Sequence, residues 1–167
     1  MTHRLTVLFA LCGLLASAGA QPCVIEAAAT AQAAYAKRRL ESALGGQVSC
    51  RFTLGLDAKL GAEAFSIVAR GRNVSVSGGD ARGLIYGALA AREQLLNGVD
   101  ITKLAAKASK PAEIFRGIKF NTPWDTYRPS SALDQHYNTV RDLEYWEAFL
   151  DMLVENRFNG LRSRTVL

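Results

Sequence analysis

The chain has 167 residues, of which 49% are hydrophobic, 21% charged and 8% aromatic, and its formal net charge is +5. That apolar fraction excludes a disordered chain, because it can bury enough surface to offset conformational entropy. No interior stretch is both long enough and charge-free enough for a polytopic membrane protein. The length suits one ordinary domain, or a small domain plus part of a second.

Residues 1–20 read as a secretory signal. Arg4 supplies the positive start, Leu5 to Leu15 the apolar run, and Ala18-Gly19-Ala20 the small-residue cleavage pattern. The run is too short to cross a bilayer of ~30 Å comfortably; a retained anchor is the alternative. Neither Cys12 nor Cys23 follows the small residue that a lipoprotein signal requires. The expected location is therefore secreted or periplasmic, with no membrane attachment after cleavage.

Loss of Arg4 lowers the formal charge from +5 to +4. The excess is spread over Lys37-Arg38-Arg39, Arg70-Gly71-Arg72 and Arg162-Ser163-Arg164, none of them interleaved with aromatics. This is the pattern of a solvated basic face, and it gives no nucleic-acid partner. Cys12 leaves with the signal, so Cys23 and Cys50 remain as an even pair where disulfides persist. Bridging them closes a loop of about 28 residues, worth roughly 3–4 kcal/mol in chain entropy; two buried thiols are the other reading. These cysteines and the single mature histidine, His136, make no zinc set, and no cofactor is expected.

From Ile25 to Leu44 the alanine-rich sequence predicts a helix with Tyr35, Leu40 and Leu44 on one face, closed by Gly45-Gly46. Val48 to Leu56 predicts a strand with Cys50, Phe52 and Leu54 on one side. Phe65–Arg70 and Val74–Ser77 alternate about Gly71-Arg72-Asn73 as a hairpin. Asp80 then caps a helix running to Leu96, in which Gly83 and Gly87 allow close approach to a sheet. A carboxylate at that start repels phosphate, so Gly78-Gly79-Asp80 is read as a cap and not as an anion site.

These elements predict a small α+β domain over 21–110, a sheet with two helices on one face. Residues 98–113 read as a polar connector. Beyond it, Ile114–Asn121 predicts a strand, Leu143–Glu155 a strongly amphipathic helix, and Asn156–Asn159 the start of another strand. Strand, loop, helix, strand is one unit of a parallel α/β fold, and one unit cannot bury its own faces.

Two stretches resemble a known family. Phe65 to Leu96, with Gly78-Gly79-Asp80-Ala81-Arg82-Gly83-Leu84-Ile85-Tyr86-Gly87, resembles the small N-terminal domain of bacterial β-hexosaminidases, which also precedes the barrel of α-glucuronidases. Phe115 to Asn121 resembles the first strand of the (β/α)8 barrel that follows, and Leu143 to Asn159 its first helix and the entry to its second strand. The resemblance covers nearly all of the mature chain and implies a carbohydrate substrate for the full-length enzyme. It departs after Asn159, where family members stay apolar and continue for several hundred residues. Here Gly160-Leu161-Arg162-Ser163-Arg164-Thr165-Val166-Leu167 ends the sequence, so residues 111–167 are expected to be the start of a truncated barrel.

Glycoside hydrolysis needs two carboxyl groups flanking the bond, or a substrate acetamido group in place of one. In the families resembled, these come from about the fourth strand onward, so no catalytic residue is expected in this chain. Arg116 aligns with an arginine that holds sugar hydroxyls in hexosaminidases; a structural ion pair is the equal alternative. Asn121, Trp124 and Asp125, at and after the C-terminal end of the strand, are candidates to stack on and hydrogen-bond a sugar ring. A core tryptophan with a turn aspartate is the plainer reading of the last two, and His136 reads as solvated. A stand-alone secreted carbohydrate-binding or structural module is the alternative to an enzyme fragment.

Overall fold

The computed structural model describes residues 21–47, 49–122 and 138–165. Residues 1–20, Trp124, Asp125 and His136 lie outside them. A five-stranded sheet has the order β1-β2-β4-β3-β5, built from β1 (Val24–Ala27), β2 (Arg51–Leu56), β3 (Phe65–Arg70), β4 (Asn73–Gly78) and β5 (Ala105–Ser109). β1, β2 and β4 are parallel neighbours, whereas β3 runs antiparallel to β4 and to β5. Two helices, α1 (Ala31–Glu41) and α2 (Ala81–Leu96), cover one face.

Alternation along the strands builds the core. Phe52 and Leu54 of β2, Phe65 and Ile67 of β3, and Val74 and Val76 of β4 all point to the helices and are buried. Ala33, Ala36 and Leu40 of α1 and Leu84, Ala88 and Ala91 of α2 meet them. Each large side chain buried here stabilises by about 1.5–3 kcal/mol. Gly83 and Gly87 do bring α2 close. A Cβ on Gly83 would lie 2.2 Å from the Ala64 carbonyl oxygen, and one on Gly87 2.8 Å from Val76 Cγ1. Asp80 caps the helix as its sequence implies, accepting from the Gly83 amide at 2.7 Å. At the hairpin, Gly71 takes φ 59°, a left-handed conformation that glycine adopts without strain.

Three expectations change. The helix expected over 25–44 is shorter, because Val24–Ala27 leaves as edge strand β1, pairing with β2. Thr30 caps α1, its Oγ1 accepting from the Ala33 amide at 3.2 Å, and the helix ends at Glu41, before the glycine pair. The connector expected over 98–113 instead contains a 3-10 turn at Ile101–Lys103 and the strand β5. β3 offers an unpaired edge, and backbone hydrogen bonding to it overrides the weak strand propensity of the alanines. Asn156–Asn159 forms the turn after the next helix, with Arg157 at φ 60°, and the strand expected to begin there starts at Gly160.

The second sheet pairs β6 (Gly117–Thr122) and β7 (Gly160–Thr165) in parallel, Gly117 opposite Gly160. Between them in sequence lies α3 (Leu143–Glu155), at the predicted bounds. Asp142 caps it through the Tyr145 amide at 3.0 Å. The ring of Phe115 lies across the Gly117–Gly160 pair, where a Cβ at either position would come within 2.4 or 2.6 Å of it. Cys23 and Cys50 are joined in a disulfide that ties the start of β1 to the start of β2, with Cα atoms 4.4 Å apart.

Candidate functional site

The densest polar cluster among the described residues lies where residues 110–116 pass from the first sheet to the second. Glu63, in the turn before β3, has φ 58° and is 8% exposed. Its Oε1 accepts from Arg82 Nη1 at 3.0 Å and from Asn159 Nδ2 at 2.9 Å; its Oε2 accepts from Arg116 Nη2 at 2.6 Å. Arg82 stands on the first turn of α2, which the cap at Asp80 and the absence of a side chain at Gly83 press against residues 61–64.

Arg116 immediately precedes β6. Besides Glu63, its Nε donates to the Arg157 carbonyl at 2.7 Å and its Nη1 to the Glu113 carbonyl. The guanidinium also lies over the Tyr86 ring, 5.9 Å from the centroid. Asn159 accepts the Arg116 amide at Oδ1 (2.9 Å) and donates from Nδ2 to the Ile114 carbonyl at 2.7 Å. Burial pushes the Glu63 carboxyl up, but the donors Asn159, Arg116 and Arg82 outweigh it and hold the group below its ordinary value. Glu63 in turn raises the Arg116 pKa, and burial raises that of Tyr86.

A second polar seam joins α1 to α3. Tyr35 donates its hydroxyl to Asp151 Oδ1 at 2.9 Å, and Arg39 pairs with Asp151 at 3.5 Å and with Glu155. Burial and the bond to Asp151 push the Tyr35 hydroxyl up to about 12. Between the two seams is an apolar cleft of about 270 Å³, lined by Ile85, Tyr86, Leu150, Leu153, Phe158 and Leu161.

This chemistry binds and orients. A carboxylate that already accepts from three donors, and whose proton affinity is lowered, is a poor general base at neutral pH. Among the described residues no group of His, Cys, Asp and Glu could hold a metal ion, and no helix is long and apolar enough to cross a membrane.

Arg116 therefore stands in an ion pair, one of its two sequence readings, with its fork occupied by protein acceptors. Asn121 is at the other end of β6, its backbone opposite Arg164, about 16 Å away along an extended strand. Its side chain lies outside the described residues, as do Trp124 and Asp125, so the sugar-contacting set as a whole falls outside the description. Cys23 and Cys50 it does bring together. Sequence reasoning missed Glu63, Tyr86, Arg157 and Asn159 as a cluster. Tyr86 and Asn159 fall in the stretches that carry the family resemblance, but Glu63 lies in a polar turn without periodicity. Only the long-range fold reveals its partners.

No family model and no curated protein matches the sequence. Solved structures do. A GH138 enzyme targeting pectin rhamnogalacturonan II matches 87% of this chain at 28% identity and a TM-score of 0.72, over 19% of its own length. A glycoside hydrolase family 20 β-N-acetylglucosaminidase matches 85% at 19% identity and 0.56, over 26% of its length. A GH115 4-O-methyl-α-glucuronidase with specificity for decorated arabinogalactans matches 86% at 19% identity and 0.54, over 25% of its length. The chain thus spans about a fifth to a quarter of these proteins, and the last two likenesses speak for the fold alone. The fold is a mixed α/β arrangement with a five-stranded sheet, similar to the glycoside hydrolase domains it matches.

Proposed function

We propose that the chain is the non-catalytic N-terminal part of a secreted glycoside hydrolase that acts on poly- or oligosaccharides. In this reading residues 1–20 direct export and residues 21–110 form an accessory α+β domain. Residues 111–167 begin a (β/α)8 barrel, with β6, α3 and β7 as strand, helix and strand of its first unit. The observation that carries it is the likeness to the GH138 enzyme, which takes in 87% of this chain and only 19% of the other.

The chemistry follows from where barrels place their groups. Hydrolysis requires an acid and a base or nucleophile at the C-terminal ends of barrel strands, and those carboxyls belong to strands beyond β7. Asn121, with Trp124 and Asp125 just after the strand, supplies at most one rim of the sugar site. The chain should therefore show no turnover of aryl glycosides above a heat-treated control; clear hydrolysis would refute the reading. A second reading, a stand-alone secreted carbohydrate-binding or structural module, draws on the core that closes within residues 25–104. The coding sequence downstream of Leu167 separates the two. Barrel coding there, in any frame, supports the enzyme, and a well-separated terminator supports the module.

A further inference from the structure

None of the described side chains of β6, α3 or β7 belongs to the main hydrophobic core, and beside the buried Leu153 of α3 it is polar contacts that fix the start of the second sheet on the first. The candidate is Glu63. A buried carboxylate is costly unless paired, and here two of its three donors, Arg116 and Asn159, come from the far side of the connector. Position 63 also holds φ 58°, which a residue with a side chain adopts only against a steric cost. Charge burial and backbone strain coincide at one turn whose partners lie mainly outside its own layer.

What those partners do is specific. Arg116 and Asn159 form the rung that precedes Gly117 opposite Gly160. The Arg116 amide donates to Asn159 Oδ1 at 2.9 Å, and the Asn159 amide donates to the Arg116 carbonyl at 2.9 Å. One carboxylate therefore grips both members of the rung from the α+β side, Arg116 through Oε2 and Asn159 through Oε1. A slip of one residue in either strand would replace arginine by Phe115 or Gly117, or asparagine by Phe158 or Gly160, and none of these can donate from a side chain to Glu63.

We infer that Glu63 is a positioning residue that docks the β6–β7 pair onto the α+β layer and sets its parallel register, with Arg116 and Asn159 as its receivers. The inference deepens the reading above and takes its meaning for an enzyme from it: as the first pair of a barrel, β6 and β7 carry the register against which later strands align.

Hydrogen exchange on the full chain, read by mass spectrometry, tests it. In the unaltered protein, amides of 117–122 and 160–165 should be protected. Glu63→Gln removes the charge and one acceptor, and should speed their exchange at least tenfold while leaving 51–56 and 73–78 unchanged. Combining it with Asn159→Ala should add little, because both changes break the same grip. Should Glu63→Gln fail to fold, Asn159→Ala alone reads the docking from the other side. Unprotected β6 and β7 in the unaltered chain, no change in the variants, uniform acceleration throughout, or additive effects would each overturn the inference. Aryl-glycoside turnover by the same sample bears only on the parent reading, so the two can fail separately.

Discussion

Glu63 gains from its neighbours only while it is ionised. The charged groups around it are Arg82 on α2, and Arg116 beside β6, with the Tyr86 hydroxyl near Arg116 and the Asn159 amide completing the shell. Because its carboxyl is held below the ordinary 4.5, its contribution is fully present above that value and is lost as pH falls through the depressed one. Tyr35 acts at the other limit. Its hydroxyl is raised from 10.0 to about 12, so the α1–α3 seam is intact below pH 10 and weakens as pH rises toward 12. We expect the protection of β6 and β7, each exchange rate taken relative to its intrinsic rate at the same pH, to fall below about pH 4.5, and that of α3 to fall between 10 and 12. Flat profiles across both windows would contradict these assignments. At this scale the sequence was least legible. Arg116 stood out as a guanidinium beside a strand, but whether it met a sugar or a carboxylate depended on Glu63, 53 residues away.

Elements with a local period were legible from their side chains. The β3–β4 hairpin declares itself by alternation about Gly71, α2 by Asp80 and its apolar face, and α3 by Trp146, Phe149, Leu150 and Leu153. β1 and β5 were not legible, for a common reason. Both are edge strands, formed because β2 and β3 present open backbone groups, and that is a property of the assembled sheet. Val24–Ala27 is four residues long and abuts a helical pattern, so periodicity assigned it to α1. The disulfide belongs to this scale as well, since it fastens the weakest of these elements. Replacing Cys23 and Cys50 by alanine should lower stability by about 3 kcal/mol. For a layer of this size that is a fall of more than about 10 °C in the thermal midpoint, measurable by circular dichroism. An unchanged midpoint would mean that the bridge restrains little.

The whole molecule combines a layer that buries its own core with a strand–helix–strand unit attached mainly through charged and amide groups, with Leu153 of α3 buried beside them. Within the layer, Phe52, Leu40 and Ile67 are fully enclosed. In the attached unit, Phe115 is 74% exposed, Leu143 70% and Leu150 46%, a larger display of apolar surface than the layer makes. The asymmetry predicts unequal autonomy. Residues 21–109 alone should fold cooperatively with dispersed amide signals in NMR spectra, whereas residues 111–165 alone should not. A molten 21–109 would show that the layer needs the unit as much as the unit needs it. Length left one domain or one and part of a second open, and the change of pattern after the polar connector favoured the second; that the parts meet at buried polar groups could not be anticipated, because those groups are scattered from residue 35 to residue 159.

The bridge at the start of β1 has a consequence for how the sheet is guarded. β1 covers the edge of β2, and until it is in place that edge exposes a row of amides and carbonyls able to recruit a strand from another chain. The residues that cover it are separated from their partner strand by all of α1. An oxidant that joins Cys23 to Cys50 makes this pairing permanent, so oxidation becomes the step that takes the β2 edge out of reach of neighbouring chains.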